Sequence, residues 1–173
     1  MQGGALEVVL SNTYALTDAH QRLGILKEFF EQCFFGAEAG TPSVERLHQF
    51  VSLHEYAAEH ASYLEPWVKH FSASLTSGTL YQRMNELHDA LKAVPVLTLY
   101  TPVLLGRDEV DALGPKVRTL VGKPVLLDLH LDANLFAGCA FVWNGVYHNY
   151  GLAYLIERKK EAFINLLAQY DRN

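Results

Sequence analysis

The sequence has little of what marks membrane-spanning or nucleic-acid-binding proteins. Its longest apolar run, residues 135–143, falls far short of the roughly 20 residues that a membrane-spanning helix needs. Lysine and arginine number 14 against 19 aspartates and glutamates, the formal net charge is -5, and no dense basic cluster occurs. Such a chain repels a phosphate backbone, so we expect no nucleic-acid partner, and any membrane association to come through a partner protein.

Cysteine is also scarce. Cys33 and Cys139 are the only two, and they lie far apart within apolar runs. We therefore predict no disulfide framework and interpret both as small buried hydrophobes in a reducing compartment. The first residues, MQGGALE, show no basic segment followed by an apolar stretch, so we expect no secretory signal and a chain that remains in the cytosol.

What the chain has in quantity is hydrophobic residues, 50% of the total, and residues 14–35 carry them at helical spacing. They form two adjoining stripes: Leu16, Leu23, Phe30 and Phe34, and Ile25, Phe29 and Cys33. This face is wider than one packing neighbour requires. Two interpretations stay open: the central helix of a bundle, or a helix that also offers a groove to a partner's helix.

Further helices follow in the first half of the chain. Ser43 is placed to cap a helix that runs through Ala61, and Pro66 is expected to interrupt it, so that residues 67–75 form a separate short helix. Thr79 can cap another helix, which ends where Val94 precedes a proline. We therefore predict a helical bundle domain over residues 1–94.

After Pro95 the hydrophobic period changes. The pattern predicts strands at 96–101, 125–131, 135–143 and 146–148 and a helix at 108–121, with Asn144-Gly145 forming a tight hairpin. A long terminal helix carries one apolar side: Leu152, Leu155, Ile156, Phe163, Leu166, Leu167 and Tyr170. The predicted fold class is α+β, in which residues 95–173 form a small α/β domain with a mixed sheet.

Candidate catalytic and metal sites are weak. His54-Glu55 and Glu59-His60 superficially resemble a zinc-protease helix, but the two histidines are not four residues apart, so their rings do not share a face. His130 with Asp128 and Asp132 alternates along a predicted strand and could build a small hydrolase or metal site, although a solvated sheet face fits the same pattern. We expect no enzyme, cofactor or metal and keep this trio as the alternative.

Residues 132–158, DANLFAGCAFVWNGVYHNYGLAYLIER, resemble the C-terminal signature of the delta subunit of F-type ATP synthase, whose mitochondrial counterpart is the oligomycin-sensitivity-conferring protein. Asp132, Leu135, Ala137, Gly138 and the turn at Gly145 match that signature without a gap. Asn149 and Gly151 stand where the family tends to have Asp and Ser. The preceding order of strand, helix and strand also follows the family.

The resemblance implies a non-catalytic peripheral-stalk (stator) subunit at the cytoplasmic face of the inner (cell) membrane. It would link the N-terminal helices of the alpha subunits to the C-terminal ends of the b subunits. We expect the wide apolar helix face to line the groove for the head: Leu23, Ile25, Leu26, Phe29 and Phe30. If these residues are instead core, they offer no groove. A helical adaptor of an unrelated complex is a further alternative.

Overall fold

The computed structural model describes residues 4–37 and 39–170 of the chain, with side chains through residue 160 and at Ile164. Five helices come first: α1 (Ala5–Ser11), α2 (Leu16–Phe35), α3 (Val44–Leu53), α4 (Glu59–Phe71) and α5 (Leu80–Lys92). Next come β1 (Val96–Thr101), α6 (Arg107–Val121), β2 (Leu126–Leu131), a 3-10 turn (Ala133–Leu135), β3 (Ala140–Trp143), β4 (Val146–Asn149) and α7 (Leu152–Tyr170). The predicted α+β class, with a helical bundle before a sheet, is confirmed.

The bundle closes around one apolar core that α1–α5 share. Trp67 is fully buried, and Phe29 packs edge-on against Phe30 and Phe50 at ring-centroid distances of 5.4 and 5.7 Å. Such aromatic pairs stabilise a core beyond the area that they bury. Ser43 caps α3 as predicted, because its hydroxyl accepts the amide hydrogen of Arg46 at 3.3 Å.

Two helix boundaries differ from the prediction. The expected long helix breaks after α3, where Glu55 adopts a positive φ of 56° that no helix residue has. The proline does not end a helix: Pro66 lies inside α4, on its exposed side, and residues 59–71 are continuous. A proline in a helix removes one backbone hydrogen bond. Here the buried side chains Leu64, Trp67 and Val68 on either side of it hold α4 against the bundle.

A mixed four-stranded sheet, in the order β2-β1-β3-β4 among the described residues, forms the second half. β1 runs parallel to β2 and antiparallel to β3, and β3 and β4 form a hairpin. Its turn uses Asn144 and Gly145 at φ 50° and 77°, which confirms the predicted Asn-Gly hairpin. The strand predicted at 135–143 is wrong in its first half, because that stretch bends through positive φ at Phe136 and Gly138 before β3 begins.

The halves meet at the extended segment between α1 and α2. Ala15 forms a parallel bridge with Leu127, and the Leu127 amide donates to the Tyr14 carbonyl at 2.8 Å. From α6, the Arg118 guanidinium donates to the carbonyls of Leu10 and, at 2.7 Å, Thr13. A piece of the first half is thus attached to the edge of the second half's sheet, although the sequence boundary near Val94 gives no sign of it.

Gly114 lets α6 approach that segment. A Cβ at this buried glycine would overlap the ring of Tyr14, which packs against α6 in the smaller apolar cluster beneath the sheet. We predict that Gly114→Ala lowers the free energy of unfolding by about 1–3 kcal/mol, the usual cost of overpacking. Gly24→Ala is the control: nothing lies within 4 Å of its Cβ position in α2, so it should stabilise by about 0.5–1 kcal/mol. Urea denaturation measures both, and equal effects would contradict the packing at Gly114.

Candidate interaction surfaces

The five residues predicted to line a partner groove are core residues. Leu23, Ile25, Leu26, Phe29 and Phe30 are 6%, 2%, 0%, 1% and 0% exposed, enclosed by the chain's own atoms. The wide apolar face of α2 is therefore buried by several neighbouring elements of the bundle. The prediction that these five side chains bind a partner helix is corrected: a side chain without accessible surface offers a partner nothing to contact.

A groove does lie beside them, between α2 and α5. It has a volume of about 560 Å³ and is lined by His20, Leu23, Gly24, Lys27, Met84, Asn85, His88 and Lys92. The rings of His20 on α2 and His88 on α5 lie 5.9 Å apart, with their planes tilted by 53°. Leu23 is the one predicted residue that reaches this groove. The groove combines an apolar floor with two lysines, a setting that suits an amphipathic helix with acidic residues.

The signature residues build the seat of α7. Asp132 caps the 3-10 turn by accepting the Asn134 amide hydrogen at 3.0 Å, and Leu135 is buried. The Ala137 carbonyl accepts the Leu152 amide hydrogen at 2.8 Å, which fixes the first turn of α7. Gly138, at φ 87°, leaves no room for a Cβ beside the Tyr150 carbonyl oxygen, so glycine is required there.

The two departures from the signature are accommodated at the same place. The side-chain oxygen of Asn149 accepts the amide hydrogen of Gly151 at 2.8 Å, forming an Asx turn. Asparagine thereby supplies the acceptor that an aspartate would supply. Gly151 is buried between Leu135 and Asn149, and a Cβ there would press on both side chains.

Phe136 stands in a strained turn beside that seat. Its φ and ψ are 57° and -52°, and the Ala137 amide donates to the Leu135 carbonyl at 2.6 Å, so Leu135, Phe136 and Ala137 form a γ-turn of the rare positive-φ kind. The ring is 79% exposed. A non-glycine residue in such a conformation costs of order 1–3 kcal/mol, and strain of this kind concentrates at functional sites. Apart from the glycine two residues later, no local pattern predicts this turn.

The first part of α7 carries an apolar stripe that the chain leaves uncovered. All residues from Leu152 to Lys160 are exposed, and so is Ile164. The stripe comprises Leu152, Leu155, Ile156 and Ile164, and Lys159 and Lys160 lie on the same face of the helix, along a hollow of about 600 Å³. The predicted apolar side of this helix is thus confirmed for Leu152, Leu155 and Ile156. Phe163, Leu166, Leu167 and Tyr170 have side chains outside the described residues.

The alternative trio is only partly assembled. Asp128 and His130 lie side by side on β2 with Oδ2 and Nε2 2.9 Å apart, and Tyr100 stacks on the imidazole at 5.4 Å. Asp132 is turned away from them, since one carboxylate oxygen accepts both the amide and the side-chain hydrogens of Asn134. The arrangement is an exposed carboxylate–imidazole pair on the open face of the sheet.

Both cysteines are free thiols. Cys33 is 3% exposed in the bundle core, where burial raises the pKa of its thiol, and Cys139 is half-buried. The core role predicted from the sequence thus holds fully for Cys33. Among residues 4–37 and 39–170, no three His, Cys, Asp or Glu side chains are grouped so that they could hold a metal ion. Within the same residues, none of the helices has the length and apolar character needed to span a bilayer.

Comparison with known proteins adds no relative. No model of a known protein family matches this chain, and a search of curated proteins finds no match. The resemblance to the delta-subunit signature therefore depends on the residues of 132–158 themselves and on the seat that they build for α7.

The strain at Phe136 gives a testable consequence. We predict that Phe136→Gly raises the free energy of unfolding by about 1 kcal/mol, because glycine adopts positive φ freely and the lost ring is exposed. Leu104→Gly is the matched control, since Leu104 is 80% exposed but has no positive φ, and it should be neutral or slightly destabilising. Thermal and urea unfolding of both variants measure the difference; destabilisation by Phe136→Gly would refute the strain.

Proposed function

We propose that this chain is a non-catalytic peripheral-stalk subunit of an F-type ATP synthase. It would join the N-terminal helices of the alpha subunits to the C-terminal ends of the b subunits, and be held at the cytoplasmic face of the cell membrane by those partners. The observation that carries the proposal is the uncovered apolar stripe of α7, the helix whose entry resembles the delta-subunit signature.

The stripe is suited to binding a helical partner. Leu152, Leu155 and Ile156 follow helical spacing, and an amphipathic helix normally buries such a stripe against another element. Within the described residues α7 packs most closely on the 3-10 turn that precedes its start. The two lysines on this face favour a partner that carries acidic residues within its apolar contact surface. The ends of stalk helices are partners of this shape, and Phe136 beside the helix entry adds an exposed aromatic anchor.

The second contact that the proposal requires falls in the groove between α2 and α5. Gly24 on the α2 wall of the groove leaves space for a partner's side chains. An alpha-subunit N-terminal helix would lie along this groove, with acidic residues directed at Lys27 and Lys92. This replaces the buried aromatic residues as the head-binding site. The two surfaces use different elements, so one chain could hold both partners at once.

A single substitution tests the stalk contact. We predict that Ile156→Asp weakens binding of the C-terminal segment of the b subunit at least about 30-fold, equivalent to about 2 kcal/mol, because it places a charge within an apolar contact. Ile156 is 59% exposed, so folding should be unchanged by circular dichroism. Isothermal titration calorimetry gives the affinity.

The control for Ile156→Asp lies on the opposite side of α7. Tyr154 is 45% exposed and points about 160° away around the helix, so Tyr154→Asp makes the same kind of change off the stripe. It should retain binding. Equal losses for the two variants, or no binding of the wild-type chain to the b segment, would refute the α7 contact.

Filling the other groove tests the head contact separately. We predict that Gly24→Gln reduces binding of an alpha-subunit N-terminal peptide at least about tenfold, because the new side chain occupies the space beside Leu23, and leaves b-segment binding unchanged. Gly78→Gln is the control, since Gly78 also has open space around it but lies outside the groove. Peptide binding unaffected by Gly24→Gln would remove this groove from the proposal.

The rival adaptor function is separated by the identity of the partners. A pull-down with the full chain should return alpha and b subunits for a stator subunit. Recovery of a different, defined complex through the α7 stripe would favour an adaptor of another assembly. The α7 stripe would then still be the binding surface, but for a different partner.

A further inference from the structure

The groove between α2 and α5 brings two histidines together from different helices. His20 is exposed on α2, His88 is half-buried on α5, and the centres of their rings are 5.9 Å apart. Both line the groove on the side where Gly24 leaves open space. Among residues 4–37 and 39–170, no side chain forms a hydrogen bond or an ion pair with either imidazole. The ring nitrogens are therefore available to a ligand.

The separation of the two rings suits one metal ion shared between them. A metal binds an imidazole nitrogen at about 2.0–2.1 Å, which places the ion about 3.2 Å from the centre of the ring. Two rings that share an ion then have centres about 5.2 Å apart at a tetrahedral angle and about 6.4 Å apart when they stand opposite each other. The observed 5.9 Å lies between these limits, so side-chain rotation is sufficient to aim both imidazoles at one ion.

Met84 adds a thioether to the same groove. It lies four residues before His88 on α5, so the two side chains share a helix face with Cβ atoms about 5–6 Å apart. Met84 lines the groove and is otherwise buried in the bundle core. Its sulfur is a soft and uncharged donor. Two imidazoles and one thioether are a different set from the groups of three His, Cys, Asp or Glu that the described residues lack.

The donors and the charges beside them select the metal. Thioether ligands favour copper(I), and imidazole suits copper, zinc, nickel and iron, so copper is the metal that both kinds of donor suit. Lys27 and Lys92 also line the groove, and they repel a singly charged ion less than a doubly charged one. Each lysine pairs with a carboxylate of its own helix, Glu31 at 3.8 Å and Asp89 at 3.9 Å, which reduces this repulsion. The setting therefore favours copper(I) over divalent metals.

We propose that the groove between α2 and α5 binds one copper(I) ion, held by the imidazoles of His20 and His88 and the thioether of Met84. Both histidines bind the ion in their neutral form. The bound ion joins α2 to α5, and it stabilises the bundle because it binds the folded chain and not the unfolded one. The site needs no partner protein, so it is independent of the helix-binding role proposed for the same groove.

A copper(I) titration of the full chain tests the site. Without air and with ascorbate present, the chain should remove one equivalent of copper(I) from the coloured chelator bicinchoninate. His20→Gln and His88→Gln should each lower the affinity at least about tenfold, because each removes a ligand. The control His70→Gln, on α4 and outside the groove, should bind as the wild type does. Cys139→Ser should also retain binding, whereas loss in that variant would assign the copper to the thiol and overturn the proposal.

Nuclear magnetic resonance tests the thioether separately in the wild-type chain. The sequence has two methionines, Met1 and Met84, so the methyl signal of Met84 is readily identified. One equivalent of copper(I) should shift that signal and leave the signal of Met1 in place. Met84→Leu conserves volume at a buried position, and it should lower copper(I) affinity at least about tenfold while leaving Zn²⁺ affinity unchanged. An unshifted Met84 methyl at saturation, or copper(I) binding that survives both histidine substitutions, would overturn the proposal.

Discussion

The relative placement of the two halves depends on how arginine side chains hold one short stretch of backbone. The segment between α1 and α2 is neither helix nor full strand, so its carbonyls need partners from elsewhere. Arg22 binds it from the bundle and Arg118 from α6, while Leu127 pairs with it along the sheet edge. A hydrogen bond to a charged group contributes about 1.5–3 kcal/mol, so several such bonds together fix the geometry of the segment.

Apolar surface is distributed unequally between the two ends of the molecule. The bundle encloses nearly all of its large side chains, and even the wide face of α2 is satisfied within the chain. The terminal helix keeps its stripe in solvent, and the turn at its entry holds an exposed phenylalanine in an unfavourable conformation. The enclosed bundle core is explained by the free energy that burial contributes to the isolated chain. The exposed stripe and the strained turn are not, but a bound partner protein would explain them.

Local signals were sufficient for much of the fold. The cap at Ser43, the Asn144-Gly145 turn and the change of period after Pro95 each depend on a few adjacent residues, and each has its counterpart in the structure. The break at Glu55 and the continuity of α4 through Pro66 depend on tertiary packing, which overrides local preference. The bend at Phe136 has the same origin, because the residue is held there by the contacts of Leu135 and Ala137.

The candidate sites were harder to predict than the fold. A helix with two apolar stripes has the same sequence whether its second stripe meets its own chain or a partner, so the burial of Phe29 and Phe30 could not be read from spacing. The groove beside them could be predicted only from the packing of α2 against α5. The contacts between α4 and α6 likewise join residues far apart in sequence, such as Tyr63 and Asp111. The stripe on α7 could be predicted from sequence spacing because all of its residues lie on one helix.

The long reach of Arg118 bears on the order in which the chain can fold. Its acceptors, Leu10 and Thr13, lie 108 and 105 positions earlier, so during synthesis they leave the ribosome well before the side chain that binds them. Contacts this distant in sequence close slowly, since a large loop must be ordered first. The helices of the bundle can therefore assemble early, while the extended segment between α1 and α2 lacks its partners until α6 and β2 have been synthesised.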